Sequence, residues 1–308
     1  MKYYFAPLEG LTTYIFRNLH NNYYPGIDKY YTPFIVPAEK RNFRTREMNE
    51  ILPEHNEGKY VVPQILTNRA DSFIKLATEL KKMGYTEVNL NLGCPSGTVV
   101  SSGKGAGFLA EPESLDEFLY EIFSKCDINI TIKTRIGKMD REEFPRLLEI
   151  YNKYAFDELI IHPRIREQLY NGVPDMESFN YAIDNSKNIL CYNGDIVDVD
   201  SFNTFTGKCP NISRVMIGRG LIRNPGLVNQ IVGNTDIDYV KLKEFHDELL
   251  SIYQEHLFGD INVLNKLKEI WFYMIELFPN CDKQYKKIKK SKHIEEYIMV
   301  VNGIFACV

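Results

Sequence analysis

No apolar run in this chain approaches the roughly 20 residues that a membrane-spanning helix requires. Nor is there a Cys-x-x-Cys pair. Cys94, Cys126, Cys191, Cys209, Cys281 and Cys307 are scattered, which argues against both a zinc site and a disulfide framework. Charge of one sign is also lacking. A net charge of -4 gives no global sign of nucleic-acid binding, so any such partner must be attracted by local basic patches. Low-complexity segments and internal repeats are absent. Gly103-Lys104-Gly105-Ala106-Gly107 lacks the G-x-G-x-x-G spacing and does not directly follow a strand, so a dinucleotide fingerprint is rejected. That segment is expected to be a flexible loop able to close over a substrate. Met1-Lys2-Tyr3-Tyr4-Phe5-Ala6-Pro7 is expected to be a first strand rather than a signal peptide. The protein is accordingly expected in the cytoplasm, as a monomer without membrane, metal or obligate protein partner.

What is present is an ordinary globular composition, 44% hydrophobic and 25% charged over 308 residues. That length suits one α/β barrel with an appendage. Eight β-type runs alternate with helical patterns: Lys2–Ala6, Lys29–Tyr31, Tyr60–Ile65, Glu87–Leu92, Asn129–Lys133, Glu158–Ile161, Ile189–Tyr192 and Arg214–Ile217. Between them, apolar residues recur at helical spacing, as in Phe73, Ile74, Ala77 and Leu80, and Gly84 closes that helix. The expected fold is a (β/α)8 TIM barrel over residues 1–235, followed by a small all-helical domain over 236–308. In the latter, Leu242, Phe245, Leu249, Ile252 and Tyr253 form one amphipathic stripe. Leu264, Leu267, Ile270, Trp271, Met274 and Phe278 form a second, and Tyr285–Val301 could supply a third helix.

Polar or sharply turning clusters follow the strands, and a barrel gathers them at one mouth, where active sites are built. Asn193-Gly194-Asp195 and Gly218-Arg219-Gly220 fall where barrels bind phosphate through backbone N–H groups. Arg219 adds a positive fork there; the plainer alternative is two tight turns. Lys133 points into the mouth and needs an anion, a carbonyl or an electron-rich ring, unless it simply pairs with an acid such as Glu9. His162 is either a core histidine or a polar contact to a cofactor. Gln64 is an amide able to read the edge of a heterocycle. The run Glu87-Val88-Asn89-Leu90-Asn91-Leu92-Gly93-Cys94-Pro95 ends a strand in a thiol at the mouth. Cys94 is there as a weak acid, a nucleophile, or a small buried hydrophobe.

Six motifs occur in order: Ala6-Pro7-Leu8-Glu9-Gly10, Asn91-Leu92-Gly93-Cys94-Pro95, Ile132-Lys133-Thr134-Arg135-Ile136-Gly137, Ile161-His162-Pro163-Arg164, Asn193-Gly194-Asp195 and Ile217-Gly218-Arg219-Gly220. Through them the chain resembles the dihydrouridine synthases, FMN enzymes that reduce uridine in transfer RNA. The resemblance covers the barrel; the helical region matches in position and character only. It implies Pro7, Leu8, Glu9 and Gln64 near the isoalloxazine, with Lys133 and His162 contacting the ring and the substrate side. It places Asn193, Gly194, Asp195, Gly218 and Arg219 at the ribityl phosphate. NADPH or NADH would reduce the flavin. Flavin N5 would deliver hydride to C6 of the uracil and Cys94, as general acid, a proton to C5; a thiol with a pKa near 8.5 is protonated at neutral pH.

A uridine stacked in folded RNA must be extruded to reach a flavin. Phosphate contacts should then dominate affinity. Asn91, Arg135 and Arg164 are assigned to the substrate side of the cleft. Two basic clusters are candidate RNA contacts: Lys40, Arg41, Arg44 and Arg46, and the acid-free group Lys283, Lys286, Lys287, Lys289, Lys290 and Lys292. The bland reading of the second is a solvated helix face. Two motifs depart from the family pattern. Pro163 stands where a small residue is common, and Gly172-Val173-Pro174-Asp175 lacks an Ala-Asp-Trp-like ending, which leaves the target uridine open. The rival readings are a flavin barrel acting on a free pyrimidine, resembling dihydroorotate dehydrogenases, a synthase acting on ribosomal RNA, and an RNA-binding scaffold without turnover.

Overall fold

Period-two alternation sets which side chains enter the sheet's interior. Along Glu87–Leu92 the polar Glu87, Asn89 and Asn91 alternate with Val88, Leu90 and Leu92, and all six are buried. The apolar set faces the surrounding helices and the polar set faces inward. The computed structural model describes residues 1–37 and 43–308. It contains nine parallel strands: β1 (Lys2–Phe5), β2 (Lys29–Tyr31), β3 (Val61–Val62), β4 (Gln64–Ile65), β5 (Glu87–Leu92), β6 (Asn129–Gly137), β7 (Leu159–Ile165), β8 (Leu190–Tyr192) and β9 (Arg214–Ile217). Their order is β3-β2-β1-β9-β8-β7-β6-β5-β4.

The two ends of that list, β3 and β4, are one stretch of chain interrupted at Pro63, which has no N–H to give the ladder. Val61–Val62 pairs with β2 and Gln64–Ile65 with β5. The Pro63 carbonyl still accepts from Asn89 N at 2.9 Å. The sheet therefore closes as eight staves, the expected (β/α)8 barrel. Two staves run further than expected. β6 reaches Gly137 and β7 reaches Ile165, because they continue to pair with each other, Arg135 opposite His162 and Gly137 opposite Ile165, across a register shift. Lys133, Arg135, His162 and Arg164 thus lie within strands, on the inward face, rather than in loops beyond them.

Inside the barrel, Tyr4, Ala6, Tyr31, Val62, Ile160, Cys191 and Met216 form a buried plug separate from the main core. Below it, Lys29 bridges Glu87 at 2.7 Å and Glu158 at 2.9 Å, and Tyr4 and Arg214 also bond Glu158. The Gly103–Gly107 segment is not an open loop: Gly105–Ala110 is a buried 3-10 turn bonded back to the Cys94 carbonyl through Ala106 N at 3.1 Å.

Beyond the barrel come helices Tyr239–His256, Asp260–Met274, Asp282–Lys290 and Ile294–Phe305. The expected third helix is two, broken at Ser291-Lys292-His293. Phe245 enters an aromatic pocket of Phe16, Tyr23 and Tyr24, fastening the first of these helices to the barrel. Lys266 donates to the Gly10 carbonyl at 2.8 Å and fastens the second beside the mouth. The single tryptophan, Trp271, is fully buried and donates to Tyr297 Oη at 2.6 Å, which also bonds His246 Nε2 at 2.5 Å. Among the described residues no helix is long and apolar enough to cross a membrane, and no cluster of His, Cys, Asp and Glu could hold a metal.

Burial holds two histidines neutral: the His20 pKa falls to about 3, and that of His246 is lowered despite its bond to Asp247. The unfolded chain binds these protons below about pH 6.5 and the native state does not, so stability is full above that value and falls as pH drops. Each histidine contributes a slope of up to about 1.4 kcal/mol per pH unit. Urea unfolding between pH 7 and pH 5 should show this decline, and His246→Gln should flatten it. A slope unchanged by the substitution would contradict the assignment.

Candidate active site

Asn91 makes the turn at the end of β5. Its Oδ1 accepts from Gly93 N at 3.0 Å and Cys94 N at 2.9 Å, an Asx turn that reverses the chain and leaves the thiol at the mouth. Asn91 is held in turn. Its Nδ2 donates to Gln64 Oε1 (2.7 Å), Gln64 Nε2 to Asn89 Oδ1 (2.8 Å), Asn89 Nδ2 to Thr131 Oγ1 (2.9 Å), and Thr131 Oγ1 to Glu87 Oε1 (3.2 Å). The other Glu87 oxygen accepts from Lys29. One directed chain of bonds therefore runs from the barrel floor to the Cys94 backbone.

Arg135 locks the same turn from the other side. Its guanidinium is buried and donates to three carbonyls, those of Gly93 (2.9 Å), Ile165 (2.9 Å) and Leu169 (2.8 Å). Arg164 is likewise fully buried. It forks onto Asp195 at 2.9 and 2.5 Å, donates to the Gly172 carbonyl, and donates from Nη1 to His162 Nε2 at 3.0 Å. His162 Nε2 is then the acceptor and Nδ1 carries the hydrogen. Burial first, then the surrounding cations Arg135, Lys133, Arg164 and Arg219, hold this imidazole neutral. Both arginines were expected on the substrate side; the structure commits their guanidinium groups to the cleft wall.

The mouth opens on a cleft lined by Pro7, Leu8, Glu9, Gln64, Asn91, Cys94, Lys133, Arg135, His162, Asn193, Gly194, Asp195, Gly218 and Arg219. Every residue expected at the cofactor thus lines one cleft with Cys94. Asp195 bridges Arg164 and Arg219, so its carboxylate orients the arginine fork. Gly194 has no room for a side chain: a Cβ would lie 1.9 Å from the Tyr192 hydroxyl. The N–H groups of Gly194, Asp195 and Gly218 find no acceptor among the described residues. Three open donors beside a fixed arginine suit a phosphate.

Lys133 makes no hydrogen bond or ion pair with any described residue. Glu9, the acid offered as its partner in the plainer alternative, pairs with Arg46 instead. Burial, followed by the Arg135 charge, lowers the Lys133 pKa to about 8. An unpartnered ammonium among arginines calls for an anionic ligand. The Cys94 thiol is half-buried, and burial pushes its pKa up against the opposing pull of the Ser96 N–H, Lys133 and Arg135. It is a protonated acid at neutral pH. Together these groups fit a phosphate-bearing ring whose reduced form carries negative charge, as FMN does.

Pro33, Phe34 and Tyr170 also line the cleft and were not foreseen. Tyr170 stands over Arg219 at 4.8 Å and Arg135 at 5.6 Å, with its ring 6.0 Å from His162. It is carried by a loop of no periodicity, and its only sequence signal was an aromatic a few residues past Arg164. Of the basic clusters, Lys40 and Arg41 lie outside the described residues, while Arg44 is exposed. Lys283, Lys286, Lys287, Lys289 and Lys290 on the helix Asp282–Lys290, with Lys292 just beyond it, are exposed, and none pairs with an acidic side chain among the described residues. Lys289 packs 4.6 Å over the Tyr285 ring.

Comparison with known proteins gives a consistent picture. The sequence pattern of the family described as "Dihydrouridine synthase" matches residues 4–302. A protein of Synechocystis named "Probable tRNA-dihydrouridine synthase 1" is 27% identical over 257 residues, 82% of this chain and 70% of that one. "tRNA-dihydrouridine synthase B" of Pasteurella multocida is 23% identical over 255 residues, 82% of this chain and 76% of that one. Among solved structures, morphinone reductase in complex with tetrahydroNAD has a TM-score of 0.54 at 9% identity, over 77% of this chain and 88% of that one. Histamine dehydrogenase from Rhizobium has a TM-score of 0.57 at 12% identity, over 76% and 46%. At such identities the structural likeness speaks to the fold.

Lys133 should be distinguishable from surface lysines without any substrate. Pulse acetylation of the cofactor-free protein, read by mass spectrometry across pH, should give a midpoint near 8 at Lys133, below the ordinary lysine value of about 10.4. A midpoint at the ordinary value would refute the buried cation.

Proposed function

The chain belongs to the dihydrouridine synthase family, and we propose that it reduces uridine in transfer RNA to 5,6-dihydrouridine. The observation that carries this reading is one cleft containing a protonated thiol, an unpartnered lysine and a turn of open N–H donors. Pro7, Leu8, Glu9, Gln64, Lys133 and His162 would flank the ring of FMN. Gly194, Gly218 and Arg219 would hold its phosphate, with Asn193 and Asp195 shaping that turn. When held there, FMN would supply the hydride for C6 of the uracil, with NADPH or NADH as the reductant.

The remaining chemistry belongs to this chain. As negative charge develops over C5, C4 and O4 of the uracil, a general acid must supply the proton at C5. Cys94 would fill that role: it lines the cleft, and burial raises its pKa, which keeps the proton on sulfur until it is needed. The thiolate then recovers a proton from solvent, so one hydride and one proton are added in all. Asn91 fixes the backbone that carries the thiol, and Arg135 fixes the carbonyl just before it. Lys133, cationic below about pH 8, stabilises negative charge in the cleft.

Residues 1–235 serve as the catalytic domain and 236–308 as the RNA-recognition domain. The lysines of the helix Asp282–Lys290 meet the phosphate backbone, with Arg44 contributing from the barrel side. Extrusion of the uridine from its stack brings it to the cleft. The work takes place in the cytoplasm, where the RNA and the nicotinamide reductant are found.

Two substitutions separate the parts of this proposal. Cys94→Ala should keep bound FMN and RNA affinity while losing most turnover, on the order of 100-fold for a general acid. Wild-type turnover would remove the thiol from the mechanism. Replacing Lys283, Lys286, Lys287, Lys289, Lys290 and Lys292 with glutamine should raise the Michaelis constant for tRNA and flatten its salt dependence at unchanged FMN content. Unaltered RNA kinetics would show that this helix is only a solvated face.

A further inference from the structure

The helix Asp260–Met274 touches both the barrel beside the cleft and the lysine-rich helix, and three consecutive residues of it, Trp271, Phe272 and Tyr273, are aromatic. Phe272 is 60% exposed, on the face of this amphipathic helix opposite the buried Leu264, Leu267, Ile270 and Trp271. Its ring meets that of Tyr273 edge-on at 5.0 Å. Tyr273 turns toward the mouth, within the field of Arg219, Tyr170 and Glu269. The connection to the mouth is independently fixed, because Lys266 on this helix bonds the Gly10 carbonyl and Arg223, four residues past Arg219, pairs with Glu276 at 3.3 Å.

The helix that carries Phe272 is also tied to the basic helix. One turn back on the same stripe, Lys268 donates to the Ser291 carbonyl at 2.6 Å, and Ser291 ends the helix that carries the free lysines. An exposed ring is thus carried by a helix anchored at one side to the cleft mouth and at the other to the end of the lysine-bearing helix. Aromatic faces flanked by basic side chains are how proteins grip unpaired nucleotides, since every base offers a π-face.

Resting on the uridine-reductase reading, we propose that Phe272, backed by Tyr273, is a stacking platform for the unpaired nucleobase adjacent to the extruded uridine. Extrusion leaves a neighbouring base without its stacking partner, and Phe272 replaces that partner. The platform would hold the strand at the mouth while the lysines hold its phosphates, so it contributes to RNA binding and leaves the cleft chemistry untouched.

The test uses the FMN-loaded full-length protein with an unmodified tRNA transcript, together with a uridine-containing oligonucleotide bearing 2-aminopurine beside the uridine. Phe272→Leu keeps the apolar bulk and removes the π-face, whereas Phe272→Tyr keeps both. The leucine variant should weaken RNA binding roughly 5- to 150-fold, leave turnover at saturating tRNA unchanged, and abolish the 2-aminopurine quenching that wild type produces. The tyrosine variant should restore quenching and affinity. Because the ring is largely exposed, both should unfold at the wild-type temperature, with unchanged emission from the buried Trp271. Equal affinity and quenching in wild type and the leucine variant would overturn the platform. Binding and quenching by a wild-type protein that never reduces the transcript would instead overturn the catalytic reading and leave the platform standing.

Discussion

The ion pair between Lys29 and Glu87 at the barrel floor sets the direction of every amide above it. A carboxylate can only accept, so Thr131 must donate down to Glu87, Asn89 to Thr131, Gln64 to Asn89 and Asn91 to Gln64. By the time the chain reaches the mouth, Asn91 has no choice but to present its carbonyl oxygen to the Gly93 and Cys94 N–H groups. Were one amide reversed, two donors or two acceptors would face each other inside a low-dielectric interior, at about 1–3 kcal/mol for each group left unsatisfied. The position of the thiol therefore follows from a charge at the other end of the strand.

The second constraint is an excess of positive charge at the mouth. Arg135 and Arg164 are buried and largely occupied with carbonyls and Asp195, yet they keep their charge. Burial first, then the surrounding cations, keeps His162 neutral, and burial followed by the Arg135 charge lowers the Lys133 pKa. The cleft is thus charged for an anion before any ligand arrives. Glu9 and Asp195 do not cancel this, since Glu9 is turned to Arg46 and Asp195 is shared by two arginines.

Much of this was legible in the amino-acid order. The alternation of Glu87, Asn89 and Asn91 with Val88, Leu90 and Leu92 marks a strand with a polar inner face, whereas the stave expected as the single run Tyr60–Ile65 is split at Pro63. The cleft members Cys94, Lys133, His162 and Arg219 stood at or beyond recognisable strand ends. The duties of Arg135 and Arg164 were not legible. Their partners are backbone carbonyls of Ile165, Leu169, Asn171 and Gly172, in a loop whose path depends on the extra pairing of β6 with β7. A period-two count carried on from Thr131 through Lys133 would have turned Arg135 inward. Phe272 was hidden for a different reason: it falls outside the apolar stripe of Leu264, Leu267, Ile270, Trp271, Met274 and Phe278, and what an aromatic off that stripe faces is set only when the helix is placed.

The claim that these residues form a uridine reductase is tested most directly by mass spectrometry of an unmodified tRNA transcript after anaerobic incubation with the FMN-loaded protein and NADPH. The account predicts a gain of two hydrogens confined to uridine, with no turnover of free uracil or dihydroorotate under the same conditions. A transcript of unchanged mass beside turnover of a free pyrimidine would contradict it.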